Sequence, residues 1–553
     1  MSQSLFDKHL AIFRQAVAAV ESRVYWSPFP ENPAAFGEGA VEEGYAAFEA
    51  YRDASFYLDQ PGVVGRAGNE VSPYGIPLTI AYPQCNPDAL ILGGKMAMSS
   101  WMKAGPEDRI GVCLEILFRL RAHSMELAHA VMHTTGQPFN LAFQVSVAQA
   151  MDRGLEALAC SWREMKQVPS RVLWEKPHGK NPPLRLDKQF MVVPRGVGLV
   201  IGSAVSPTWS AFPAIFANLA TGNPVIVKPH HEVILPLAIV VAVARMVLKE
   251  SGFDPNLVSL LVDEEAGAAA RIVSLKPEVR IIDYTGHSAM GEWLEENARQ
   301  AVVFSQKSSL NCVVVDSTDD YKGLLRNLAL SMCLYSGQIA AAPRLIFVSR
   351  EGVRTPDGVQ SSEQFGRDLA QTIGHLMEDP QRAMELLGCL QSPDTQARID
   401  EAREAGEVLR DSSVVATDRW LNARCATPLL LRATVGDEDR YAQHRFGPIY
   451  WVVETMTTAE SLAAAERAMN SKGGLALAVH STSPHVQEMG QEMAARVGVS
   501  LHVNLTGAAL MSLPAPYSDF HGSGVNPAAN CCFTDSAFIA QRFFLIHSQR
   551  IAG

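Results

Sequence analysis

No apolar run in the 553-residue sequence is long enough to cross a bilayer. The most apolar stretch, 233–244, is about a dozen residues, against the roughly twenty a spanning helix needs. It suits a buried helix. The first twenty residues carry Asp7, Lys8 and Arg14. They lack an unbroken apolar core followed by a small-residue cleavage site, so no secretory signal is expected. Positive charge is also scarce: 47 Lys and Arg against 58 Asp and Glu leave a net charge of -11. That balance disfavours nucleic-acid and anionic-membrane surfaces while leaving room for a local basic pocket. The nine cysteines are scattered, with only Cys531 and Cys532 adjacent. No spacing suggests a disulfide framework or a metal site, so buried, reduced thiols and a cytoplasmic location are expected. Internal repeats and low-complexity segments are absent as well.

What is present is globular. Hydrophobic residues make up 47% and charged residues 19%, and the length implies two or three domains. Residues 1–100 mix helical stretches with loops rich in Pro and Gly. Residues 106–166 read as two or three amphipathic helices, with Leu114, Ile116, Leu117 and Leu120 on one face. A polar stretch, 174–188, then Phe190-Met191-Val192-Val193-Pro194, suits a β-arm reaching away from the body. From Gly196 short apolar runs alternate with helical patterns. The runs are 197–201, 225–228, 258–262 and 279–284, and the helices 211–220 and 235–251. This alternation predicts a doubly wound sheet. A second α/β series is expected to begin at 301–304 and to continue through 312–315, 344–348, 447–453 and 474–479, with a charged helical stretch at about 350–412. The tail ends in Phe543-Phe544-Leu545-Ile546, read as an edge strand.

Several segments carry a resemblance. Leu334-Tyr335-Ser336-Gly337-Gln338-Ile339-Ala340 resembles the catalytic loop of the aldehyde dehydrogenase superfamily. Val225-Ile226-Val227-Lys228-Pro229 resembles its adenosine-ribose strand. Tyr284-Thr285-Gly286-His287-Ser288-Ala289-Met290-Gly291 resembles its pyrophosphate turn, and Phe446-Gly447-Pro448 its nicotinamide-ribose segment. In order, these cover roughly residues 105–545. The resemblance implies an aldehyde dehydrogenase-like α/β fold with two doubly wound domains and a β-arm. The expected division is 1–305 for a helical region and cofactor-type domain, and 306–513 for a catalytic-type domain. Residues 168–195 and 514–553 form the oligomerisation element. It also implies NAD or NADP as cofactor and a homodimer or homotetramer. Cofactor contacts would come from Trp209, Lys228, His231, Gly286, His287, Gly291, His444 and Phe446. His231 stands where the family often has a glutamate, which favours NADP slightly, and His444 stands where it has another.

The chemical positions depart from the pattern. Aldehyde oxidation needs a thiolate, a base and an oxyanion donor. The corresponding positions here are Ala340, Gln306 and Ser210, the last in Ser206-Pro207-Thr208-Trp209-Ser210. A methyl group cannot form a thiohemiacetal, and a carboxamide takes no proton at neutral pH. Cys333 is expected to be a core thiol, while Lys307, His444 and His521 are candidates for polar work in a cavity. Within the family the resemblance runs toward the PaaN-like proteins of phenylacetate degradation. It rests on 335–338, 206–209 and the tail 519–530, and on the long N-terminal region. The implied ligand is an aromatic-pathway aldehyde or a CoA thioester. Three functions stay open: a degenerate dehydrogenase that binds ligand or a partner enzyme, a non-redox enzyme reusing the tunnel, or an active NAD(P)-dependent semialdehyde dehydrogenase.

Overall fold

The computed structural model describes residues 4–263 and 267–552. The N-terminal region is helical. Helices α1 (Leu5–Ser22), α2 (Pro106–Ala122), α3 (Ser124–Thr135) and α4 (Ala150–Lys166) pack around one apolar core that includes Phe13, Leu114, Leu117, Leu120 and Leu155. The capping chemistry is ordinary: Ser4 accepts the backbone N–H of Asp7 at the start of α1.

Two parallel sheets follow. The first contains β3 (Val197–Ile201), β4 (Val225–Lys228), β5 (Val258–Leu260), β6 (Val279–Thr285) and β7 (Val302–Gln306), in the order β5-β4-β3-β6-β7. All four pairings are parallel. Every residue of β3, β4 and β5 is buried, which explains the continuous apolar runs of a sheet covered on both faces. Strand order reverses between β3 and β6. Open α/β sheets bind ligands beyond the carboxyl ends of strands at such a point.

The second sheet contains β8 (Asn311–Val315), β9 (Pro343–Ser349), β10 (Glu407–Arg410), β11 (Leu429–Thr434), β12 (Ile449–Thr455), β13 (Ala476–His480) and β14 (Ser500–Val503). Their order is β10-β11-β12-β9-β8-β13-β14. Only the edge strand β10 is antiparallel to its neighbour. Three helices and two short strands fill the charged stretch 353–403.

A third, antiparallel sheet is built from β1 (Arg171–His178), β2 (Asn181–Pro194) and the C-terminal β15 (Phe543–Ile551), in the order β15-β2-β1. Phe543 pairs with Pro194 and Ile551 with Leu186. The β-arm and the terminal strand expected from the sequence are therefore one structure.

Two expectations need correction. The run 301–304 does not open the second series. It lies in β7, parallel to β6, with Gln306 paired to Thr285, so the chain passes between the sheets at 307–310. An apolar run looks alike in either sheet, and only its hydrogen-bonded neighbour decides. Nor does the whole tail belong to the arm. Residues 515–542 run back along both parallel-sheet domains, with Asn526 bonding the backbone of Gly474, Val497 and Gly498 in the second. Tyr517 bonds Asp152, Asn530 bonds the backbone of Ser305 and Val303, and Arg542 pairs with Asp283.

Candidate active site

The loop after α8 (Tyr321–Cys333) is the most constrained segment of the chain. Tyr335, Ser336 and Gly337 have φ of 50, 47 and 63° in succession. Two of them carry side chains, and each such residue costs about 1–3 kcal/mol. The surroundings over-determine the turn. The Tyr335 hydroxyl donates to the Thr135 carbonyl at 2.5 Å, and Ser336 donates to Leu387 O at 3.1 Å. The buried Arg344 guanidinium donates to the carbonyls of Gly337 and Gly447. A Cβ at Gly337 would overlap the Tyr450 hydroxyl. Past the turn, Asn311 donates to the carbonyls of Ala340 (2.8 Å) and Ala342 (3.0 Å), and Ser309 to that of Ala340 (2.8 Å). Ala340 itself is exposed. The loop thus presents one outward position, and it bears a methyl group.

Gln306 ends β7, three residues before Ser309. Its Nε2 donates to the Cys531 carbonyl at 3.0 Å and lies 3.6 Å from the Cys531 sulfur. Its Oε1 is buried without a partner. Burial pushes the Cys531 thiol up to about 12, so it stays protonated. Cys333 is also buried and raised to about 12, as its position on α8 implied. Ser210 lies in the first turn of α5 (Pro207–Ala220). Its hydroxyl donates to Ser206 O, four residues back, at 2.8 Å. That local bond uses its proton on the helix itself. Trp209 sits against His521 (4.7 Å) and Phe533 (6.0 Å), with Arg153 over its face. Its indole N–H is buried and unpartnered.

On the cofactor side, the amine of Lys228 is buried and paired with Asp263 at 2.7 Å. A cation out of water needs a counter-ion, so a ribose contact there competes with Asp263. His231 lies in the turn His230–Val233, its ring 4.4 Å from that of His230. Gly286 closes onto the Gln306 carbonyl. Helix α7 (Ser288–Asn297) then starts at His287 with no side-chain cap, which leaves its first N–H groups free. Gly291 has a packing reason: a Cβ would strike the Lys307 stem at 2.6 Å. Lys307 is itself paired with Glu295 at 3.0 Å. His444 and Phe446 lie on the segment before β12, where Arg398 donates to Phe446 O at 3.0 Å. The sequence pattern of the aldehyde dehydrogenase family matches residues 86–530, well over half of the molecule.

The chain belongs to the aldehyde dehydrogenase family. A crystal structure described as an NAD-dependent aldehyde dehydrogenase from Burkholderia multivorans is 46% identical, with a TM-score of 0.98 and full coverage of both chains. A mutant form of the 1-pyrroline-5-carboxylate dehydrogenase of Thermus thermophilus aligns with a TM-score of 0.74. The alignment covers 96% of this chain and 100% of that one at 18% identity, a likeness of fold alone. A 2-aminomuconic 6-semialdehyde dehydrogenase of Pseudomonas sp. is 22% identical over 428 residues, covering 75% of this chain and 81% of that protein.

For an aldehyde dehydrogenase family member, the carboxyl end of the first sheet at its switch point is where a dinucleotide is expected. Gly286 and the uncapped start of α7 offer backbone donors to a pyrophosphate, and a nicotinamide cofactor accords with the family. Sequence reasoning missed the residues of the second domain that meet the turn after β4. Gln391 donates to Glu232 at 3.0 Å, and Arg424 donates to the carbonyls of Leu390 and Gln391. It also missed Asn311 and Arg344, which pin the loop. Such residues look like ordinary polar positions until the fold pairs them. The adjacent pair His230-His231 is visible in the sequence, but only His231 falls on a position of the family pattern.

Proposed function

We propose that this protein is a diverged, PaaN-like aldehyde dehydrogenase that holds its ligand without covalent oxidation. Ala340, Gln306 and Ser210 occupy the positions of the family's nucleophile, base and oxyanion donor. One observation carries this reading. The outward position of the strained loop bears a methyl group, while all nine cysteines are buried. The thiol that touches Gln306, that of Cys531, is held protonated. The Gln306 amide adds support. Its N–H donates to a backbone carbonyl, a bond no carboxylate can make, so the surroundings suit an amide.

A dinucleotide would lie along Gly286, His287 and the start of α7, with His231 near the adenosine ribose and Phe446 and His444 near the nicotinamide end. A bound nicotinamide supplies a hydride acceptor. The replacement of a glutamate by His231 removes a repulsion against a 2'-phosphate and adds a donor. NADP is therefore expected to bind about tenfold more tightly than NAD, the worth of one hydrogen bond to a charged group. The ligand class is an aromatic-pathway semialdehyde or its CoA thioester.

The likeness to a 2-aminomuconic 6-semialdehyde dehydrogenase favours a second reading, an active semialdehyde dehydrogenase. One experiment separates the two. Calorimetry with NAD and NADP is followed by an absorbance assay of reduced cofactor with muconate-type semialdehydes, for the wild type and Ala340→Cys/Gln306→Glu. Loss of a nucleophile costs several orders of magnitude in rate, so the wild type is expected to stay at background. Wild-type turnover on the order of 1–10 per second, ordinary for an enzyme, would establish the second reading and end the first.

A further inference from the structure

We propose that the turn His230-His231-Glu232 is a binding site for a borderline-soft divalent ion of the zinc class. The two imidazoles and the carboxylate each place a ligand atom within 4.8 Å of the others. Two nitrogens and one oxygen suit zinc and its late-transition-metal neighbours, and three protein ligands leave a fourth position open for water.

The convergence follows from local geometry. Lys228 ends β4, Pro229 follows, and the chain reverses in a turn closed by Val233 N–H to His230 O at 2.9 Å. That reversal brings three successive side chains together. They are half-buried, so they are shielded from bulk water yet free to adjust. Donors on a tetrahedral ion with bonds of about 2.0 Å stand about 3.3 Å apart. The remaining closure of about 1.5 Å is a rotamer adjustment in side chains of this exposure.

Two further observations point to a ligand. The His231 Nδ1 is a buried ring nitrogen without a hydrogen-bond partner. The Glu232 carboxylate is steadied from the second domain by Gln391, whose amide donates to it at 3.0 Å. Such outer contacts orient metal-binding carboxylates. Lys228, a cation at the end of β4, is already matched by Asp263.

The site stands on the turn's own donors and needs no dinucleotide, so it is measured on untagged protein without nucleotide. Equilibrium dialysis against zinc chloride is expected to leave one ion per chain. Cobalt substitution is expected to give the visible d–d bands of a tetrahedral site. His231→Ala and Glu232→Gln should each weaken zinc binding at least about tenfold, with unchanged circular dichroism. His375→Ala, on an exposed face elsewhere, should leave it unchanged. No retained zinc, or zinc held equally by both turn variants, would overturn the proposal.

Discussion

His521 shows how a single ring can couple this candidate site to pH. It lies edge-on to Trp209 and stacked on Phe533 at 5.6 Å, half-buried, and burial pulls its pKa down to about 4. His480, at the end of β13, is lowered to about 4 by the same cause. Both folded values lie below the unfolded value near 6.5. The unfolded chain therefore takes up protons first as pH falls, and stability declines between about 6.5 and 4. Above that window these groups contribute no slope. A tenfold change in a protonation equilibrium is worth about 1.4 kcal/mol, so each ring costs about 2 kcal/mol between pH 7 and pH 5. Urea midpoints at those two pH values test this. His521→Asn is expected to flatten the decline by that amount, and equal declines in wild type and variant would refute it.

At the scale of elements, the join between tail and first sheet includes one buried ion pair. Arg542 is fully buried. It donates both terminal nitrogens to Asp283 on β6 and lies over the rings of Phe304 and Phe538 at 4.4 and 4.0 Å. Removing one member leaves an uncompensated charge and costs about 3–5 kcal/mol. Asp283→Asn should lower the unfolding free energy by that much, whereas Asp283→Leu/Arg542→Met should cost less than the single change. A double variant as damaged as the single one would show that the charge was not the issue. Neither partner could be matched from sequence, because 259 positions separate them. This marks what was legible. Buried parallel strands announce themselves as apolar runs, and the loop 334–340 and the turn 284–291 were readable because their Gly and small residues follow from tight backbone. Long-range pairings were not: Gln306 with Cys531, Glu232 with Gln391, Lys228 with Asp263. Each uses a common polar residue whose meaning depends on the partner.

At the scale of the molecule, the three-stranded sheet is unfinished. Its outer strand β1 has one neighbour, β2, and an open edge among the described residues, a template for pairing with another chain. The sheet also bares apolar side chains: Leu184, Leu545 and Ile551 are exposed on one face, and Leu173, Met191 and Ile546 on the other, apolar surface that a partner would cover. Family members are typically oligomeric, and a second copy of this chain offers the same sheet in return, as closed two-fold assembly requires. Static light scattering is therefore expected to give two or four times the 60.1 kDa chain mass. Leu545→Lys/Ile546→Lys, which puts a charge on each face of β15, should shift the protein to monomer while leaving the two parallel-sheet domains folded. A wild-type particle of one chain mass would show that the arm's apolar surface serves some other contact.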